Sequence, residues 1–389
     1  MEMICEKNRC YGCGLCADSC AAGAIEMRED AETGHFRPVI DAALCTDCNR
    51  CRKLCPANRE PSYYDNLITY AAWQTNRQKI VGSSSGGVAA AFYETAADNG
   101  WLVAGTVLNR SLTASLTIGD NKEDINRFRG SKYVQADHQG VYRRLSEALK
   151  QGRHGLFIGT PCQCEAARSA AGKNADALLT VDLICHGVPS QRLLRDYISW
   201  VGLQKGKTVD AIGFRSDWGV QMQMFSGGKM IWDRRMYWDY YFELFSYGYS
   251  VNEACFQCPY ACDRRSSDIT IGDFWGIGES TPFENPGCKV SVIGVNTEKG
   301  RDFLNSCRQL TLIKREWSEA VSGNSQLQSP QAKSPNYELF WDIYNRKGLD
   351  EALHATVYDK VTARYKKEYP TVFLKYKTKN TIKKLLGRK

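Results

Sequence analysis

The sequence predicts two modules of different class: a short α+β segment organised around cysteines, then a larger α/β body with a mixed or mostly parallel sheet. Three observations carry this. Nine of the seventeen cysteines fall within the first 55 residues. A polar stretch, Asn58 to Asp65, follows them and reads as a linker. Beyond it, apolar strand-like runs alternate with helix-like segments, the grammar of an α/β fold.

The cysteines form two runs, Cys10-x2-Cys13-x2-Cys16-x3-Cys20 and Cys45-x2-Cys48-x2-Cys51-x3-Cys55-Pro56. This is the ligand spacing of two 4Fe-4S clusters: three thiolates of one tight loop meet a cubane, and the fourth reaches across to the other. The predicted ligand sets are therefore interleaved. Cys10, Cys13, Cys16 and Cys55 serve one cluster, and Cys45, Cys48, Cys51 and Cys20 the other. The first run departs from the second in Ala21, which stands where the second has Pro56. Zinc or disulfides are the weaker alternatives, because structural zinc usually pairs two distant CxxC motifs and each run here offers four thiols alone. Residues 1–60 thus read as an α+β ferredoxin-like domain.

In the body, the strand-like runs are 101–104, 155–158, 179–184 and 290–295, and the helix-like segments are 87–99, 139–151, 164–171, 190–203 and 298–310. This alternation argues for a largely parallel sheet. Ligands collect outside the carboxyl ends of strands in such sheets, so the loops that follow them are where chemistry is sought.

At 389 residues the chain is long enough for two or three domains. No run approaches the length of a membrane span, and MEMICEKNRC lacks the pattern of a secretory signal. The expectation is a cytoplasmic protein whose thiols are kept reduced for metal. The net charge of +8 is uneven: residues 360–389 hold eleven Lys/Arg against Glu368 alone, which leaves the remainder at −2. The body is therefore not a nucleic-acid binder. The tail, with Ile382, Leu385 and Leu386 at helical spacing, is a candidate for peripheral contact with the inner membrane face. A frayed, solvated terminus is the simpler reading.

Three motifs carry chemistry. Gly82-Ser83-Ser84-Ser85-Gly86-Gly87-Val88 opens a helix, where hydroxyls can cap and backbone NH groups can receive an anion or a flavin edge. Ile158 to Cys164 ends a strand in a tight turn with Thr160 and a thiol, Cys162, at a helix start. Thiolates are favoured there as nucleophile or as ligand. Asp182 to Ser190 repeats the idea with Cys185 and His186, and Cys255-x2-Cys258-x3-Cys262 adds further thiols. His186 is a candidate proton donor, although a histidine satisfied by turn backbone is the default. No Cys-x3-Cys-x2-Cys and no G-x-S-x-G occur, which leaves radical S-adenosylmethionine and serine-hydrolase chemistry unsupported.

These motifs, together with Arg129-Gly130-Ser131-Lys132-Tyr133-Val134-Gln135 and Ser267 to Gly276, come in the order of the family of coenzyme F420 hydrogenase/dehydrogenase beta subunits, which the chain resembles. The resemblance covers about residues 75–345, with the N-terminal module similar to a fusion found in bacterial members. It implies an FAD-binding domain at 61–250, a C-terminal part of the same unit at 251–350, and a basic tail at 351–389. By the motif match, a third 4Fe-4S cluster takes Cys162, Cys185, Cys255 and Cys258, with Cys262 as a competing ligand. Ser83, Ser84, Ser85, Gly86, Gly87, Ser131, Lys132, Tyr133 and Thr160 approach FAD, with Lys132 placed to stabilise the reduced ring. The implied activity is an iron-sulfur flavoprotein oxidoreductase acting on an organic substrate or a deazaflavin, with ferredoxin or another redox carrier as partner. Bacterial relatives tie this core to polysaccharide biosynthesis. The rival reading is a non-catalytic electron-transfer subunit that feeds a separate enzyme.

Overall fold

A computed structural model describes residues 3–216 and 218–385. The first module holds helix α1 (Leu15–Ser19), an antiparallel hairpin of β1 (Ile25–Glu29) and β2 (Phe36–Ile40), and helix α2 (Arg50–Leu54). Its two cysteine loops follow the same backbone path. Gly12 (φ 65°) and Asp47 (φ 50°) occupy equivalent left-handed positions, as do Gly14 (φ 82°) and Asn49 (φ 58°). Only glycine, asparagine and aspartate visit that region readily, so the loops are specified by residue type as well as by cysteine spacing.

The body contains β3 (Ile68–Gln74), α3 (Val88–Asp98), β4 (Leu102–Leu108), β5 (Ala114–Gly119), α4 (Lys122–Arg127), α5 (Val141–Lys150), β6 (Gly155–Gly159), α6 (Pro161–Ala171), β7 (Leu178–Leu183) and α7 (Gln191–Lys205). A separate antiparallel meander follows, β8 (Ala211–Ser216), β9 (Gly219–Ser226) and β10 (Lys229–Arg235), then α8 (Tyr240–Ser246). The chain returns through β11 (Ile269–Asp273), β12 (Ser291–Val295), α9 (Glu298–Ser306) and β13 (Leu310–Arg315). Eight strands make one sheet in the order β13-β3-β12-β11-β7-β6-β4-β5.

The architecture is a mixed α/β body around a large mixed sheet, not a largely parallel one. Only the pairs β4·β6, β6·β7 and β7·β11 are parallel. Both flanks are antiparallel. The reason lies in the connections. β4 to β5 is a short turn and β11 to β12 a helix-free loop, and a strand that returns without a crossover helix pairs antiparallel. The expected helix over 298–310 stops at Ser306, because Leu310 begins the edge strand β13 and pairs with Gln74. Residues 61–250 and 251–350 contribute strands to this single sheet, with β3 seated between β12 and β13.

Apolar cores lie on both faces of the sheet. One gathers Tyr142, Leu145, Phe157, Tyr197, Tyr241 and Phe340, and the other Phe92, Val103, Leu156, Val181 and Ile293. The anticipated linker is stitched down rather than free: Tyr64 bridges to Arg265, and the Tyr63 hydroxyl donates to the Pro259 carbonyl at 2.7 Å. The start of the tail is held down as well. It opens the last helix, Tyr358–Leu385, where Arg364 and Lys360 pair with the buried Glu243 at 2.9 and 3.0 Å and Tyr358 stacks on Tyr240. Residues 386–389, and the side chains of the Ile382, Leu385 and Leu386 stripe, lie outside what the structure describes. Among the described residues no helix is long and apolar enough to cross a membrane.

Candidate functional site

The folded N-terminal module brings the two runs together. Cys10, Cys13, Cys16 and Cys55 surround one void, so the last thiol of the second run joins the first three of the first. Cys5, which the spacing of the runs left without a role, faces the same void and hydrogen-bonds with Cys10 and Cys55. Its neighbours in sequence give no motif, so spacing could not have found it. Cys51 has Cys20 and Cys48 as neighbours. Cys45 lies at the start of the same loop, its Sγ 3.8 Å from the Asp47 carboxylate.

Four further thiols arrive from three separate segments. Cys162 sits in the first turn of α6, where Thr160 forms a capping box with Gln163 and holds its Oγ1 3.2 Å from the Cys162 Sγ. Cys185 follows the end of β7, and Cys255 and Cys258 lie in and after the short 3-10 turn Glu253–Gln257. Burial pushes the Cys162 thiol up to about 12, with Cys185 and Cys258 adding to the rise. Burial does the same to Cys258, again with Cys185 contributing. Cys262 is turned elsewhere: its thiol donates to the carbonyls of Pro259 and Arg264. Among the described residues no three His, Cys, Asp or Glu converge on a position for one metal ion.

Cys162, Cys185, Cys255 and Cys258 all line a cavity of about 710 Å³. The first module reaches it too, because Tyr11, Gly12 and Cys13 line both this cavity and the void among the N-terminal thiols. Ser83, Ser84, Ser85, Gly87, Ser131, Lys132, Tyr133, Thr160 and His186 are on its wall. Gly86 is not among the lining residues: its NH donates to the Ser291 Oγ at 2.9 Å, against β12.

The serines do not cap α3 as the sequence suggests. Ser84 accepts from the NH and hydroxyl of Ser131 at 2.7 and 2.8 Å, and Ser85 donates to the Val290 carbonyl at 3.0 Å. With left-handed Gly87 at its N-cap and no side-chain cap, α3 leaves its first NH groups at the cavity. Lys132 donates to the carbonyls of Phe128 and Arg129, both at 3.0 Å, just past the end of α4. Burial pulls the Lys132 ammonium down to about 7, and those carbonyl acceptors work against that. Burial likewise takes His186 down to about 4, opposed by Asp273, so at neutral pH it is an uncharged ring packed edge-on to Trp275 at 5.2 Å.

Comparison with known proteins fits this arrangement. Residues 153–318 match the C-terminal family model of the coenzyme F420 hydrogenase/dehydrogenase beta subunit, and residues 9–59 match the 4Fe-4S dicluster domain. Residues 153–318 thus belong with the C-terminal region of coenzyme F420 hydrogenase/dehydrogenase beta subunits, and a 4Fe-4S dicluster domain precedes them. The match over residues 9–59 marks the N-terminal module as an iron-sulfur domain of the electron-transfer type. The F subunit of the F(420)H(2) dehydrogenase of Methanosarcina mazei is 25% identical over 194 residues, 47% of this chain and 54% of that relative. An uncharacterized protein of Methanocaldococcus jannaschii is 24% identical over 208 residues, 46% of this chain and 57% of its own. The chain thus spans little more than half the length of these two curated relatives. An uncharacterized ferredoxin of the latter organism is 34% identical over 58 residues, 15% of this chain and 73% of the ferredoxin. A chain of the xenon-derivatised F420-reducing NiFe hydrogenase complex from Methanosarcina barkeri superposes with a TM-score of 0.45 at 15% identity, covering 75% of this chain and 91% of that one.

Gly86 keeps the serine loop against the sheet. A Cβ there would lie 2.4 Å from the Ala72 carbonyl and 3.1 Å from the Ser291 backbone nitrogen. Neither can give way without disturbing β3 and β12, which pair with each other. Gly86→Ala is expected to cost about 1–3 kcal/mol in chemical denaturation. A neutral effect would show that the loop can lift without loss.

Proposed function

We propose that the chain is an iron-sulfur flavoprotein oxidoreductase that moves electrons between two N-terminal 4Fe-4S clusters, a third cluster and FAD. Its reaction would be a two-electron reduction or oxidation of an organic substrate or deazaflavin. The single observation that carries this reading is the cavity: thiols from three segments share one wall with the uncapped start of α3. A relay subunit needs the thiols but no cavity of about 710 Å³, a volume typical of small-molecule sites.

The residues present fit the groups. In the third set, buried thiols raise one another, a repulsion between thiolates that a cationic iron core would relieve. Cys162, Cys185, Cys255 and Cys258 would hold that cluster, and the interleaved N-terminal sets would hold the other two. For FAD, the Arg129 and Arg215 Nε donors are buried without a hydrogen-bond partner among the described residues, and both residues line the cavity. Donors of this kind and free helix NH groups suit a diphosphate or a flavin pyrimidine edge. When bound, the clusters would supply one-electron transfer and the flavin would pair electrons for two-electron chemistry.

The protein's own residues set the environment. Arg215 pairs with Asp273 at 2.7 Å and packs over the Tyr133 ring, which fixes charge on one wall without exposing it. The neutral His186 ring and Trp275 furnish an apolar edge on the same cavity. Anaerobically reconstituted protein should carry about twelve iron atoms and one FAD per chain. Iron without flavin would leave the relay reading standing instead.

A further inference from the structure

The outer N-terminal thiols are displayed rather than sheltered. Every residue from Asp41 to Arg50 is exposed except the half-buried Cys45, and Leu44 shows 52% of its surface. None of these residues lines the cavity, whereas Tyr11, Gly12 and Cys13 of the other loop do. The loop bearing Cys45 and Cys48 therefore lies at the surface and off the cavity wall.

Charge is concentrated at the same place. Arg50, Arg52 and Lys53 are exposed, and none has an ion-pair partner among the described residues. Most other exposed cations of the module are paired. Lys7 is tied to Glu32 at 2.7 Å and Arg28 to Glu26 at 2.6 Å, Arg59 lies 3.7 Å from Glu165, and Arg9 stands apart from this loop in sequence. Three unpaired cations beside one apolar residue and an exposed thiol have the make-up of a small docking patch, a contact centre with a charged rim.

We propose that the face formed by Leu44, Cys48, Arg50, Arg52 and Lys53 is the docking surface for a small acidic one-electron carrier protein. The proposal rests on the cluster reading above and adds the site and the sign of the partner. Each encounter oxidises the carrier by one electron and reduces the outer cluster by one, with no proton or atom transferred. The cations steer an acidic carrier to the thiols, while the chain outside the tail carries −2 overall.

The test uses the full chain, loaded anaerobically, with a reduced acidic 2Fe-2S ferredoxin as the probe in stopped flow. The triple change Arg50→Glu, Arg52→Glu, Lys53→Glu is expected to lower the second-order rate at low salt by about tenfold or more and to flatten its dependence on ionic strength. The corresponding Gln triple, gentler on folding, should give a smaller fall in the same direction. Reversal of Lys366 and Lys367 to Glu should leave the rate unchanged. Iron content and reduction by the cationic methyl viologen radical should not fall in any variant. An unchanged ferredoxin rate in both triple variants, an equal loss with methyl viologen, or a larger loss from the Lys366/Lys367 pair would overturn the proposal. A parent protein without the outer cluster's iron would instead overturn the cluster reading on which it stands.

Discussion

Replacing Cys185 with serine is expected to remove about four of about twelve iron atoms, while Cys262→Ser leaves the count unchanged. The two cysteines compete on paper, since Cys262 lies four residues beyond Cys258 and Cys185 is far away in sequence. In the fold the order reverses. Cys185 lies just beyond β7 and shares the cavity wall with Cys162, Cys255 and Cys258. The Cys262 thiol is instead engaged by the carbonyls of Pro259, at 3.5 Å, and Arg264, at 3.1 Å. Serine keeps the size of the side chain but is a poor ligand for iron, so the readout separates ligation from packing. Iron and sulfide analysis of both variants, with electron paramagnetic resonance of the reduced protein, checks it. Loss of iron from Cys262→Ser alone would mean that the turn after Cys258 rearranges and that the four-thiol set is wrongly drawn.

The parts of this fold that were legible in sequence are those whose cause is local. The helix at α6 announces itself through Thr160, Pro161 and Gln163, and its capping box forms as the residue types require. The paired cysteine loops are set by spacing and by Gly or Asn/Asp at the left-handed positions. What escaped is set across long sequence separations. Strand β3 was not anticipated, and it is placed by pairing Ile68 with Val295 on one side and Gln74 with Leu310 on the other. The serine loop looked like a helix cap because its strongest partners, Ser131 and Val290, lie 47 and 205 residues away. Cys5 had no motif, and folding gives it Cys10 and, from across the module, Cys55 as neighbours. Short-range chemistry thus identified the components, and long-range pairing decided which of them meet.

Arg265 shows how that long-range pairing is fastened, and its truncation to alanine is expected to cost about 3–5 kcal/mol. Its guanidinium is 2% exposed and donates to Asp182 at 3.0 Å, to Thr270 Oγ1 at 3.2 Å, and to the carbonyls of Tyr260 at 2.8 Å and Cys262 at 3.2 Å. One side chain therefore joins β7, β11 and the turn that carries Cys258. Asp182 is fully buried, and its second carboxylate oxygen has no hydrogen-bond partner among the described residues. Removing Arg265 would leave an uncompensated carboxylate in the core, which is where most of the cost arises. Asp182→Asn introduced with Arg265→Ala should restore a large part of the loss, because the buried charge disappears along with its partner. Urea unfolding of the two single variants and the double variant measures this as a coupling energy. Retention of third-cluster iron in the double variant would show that the pair acts through stability, whereas iron loss at recovered stability would show that Arg265 also holds the Cys258 turn in place. A cost below about 1 kcal/mol for Arg265→Ala would mean that water reaches Asp182 and that the pair is not buried in solution.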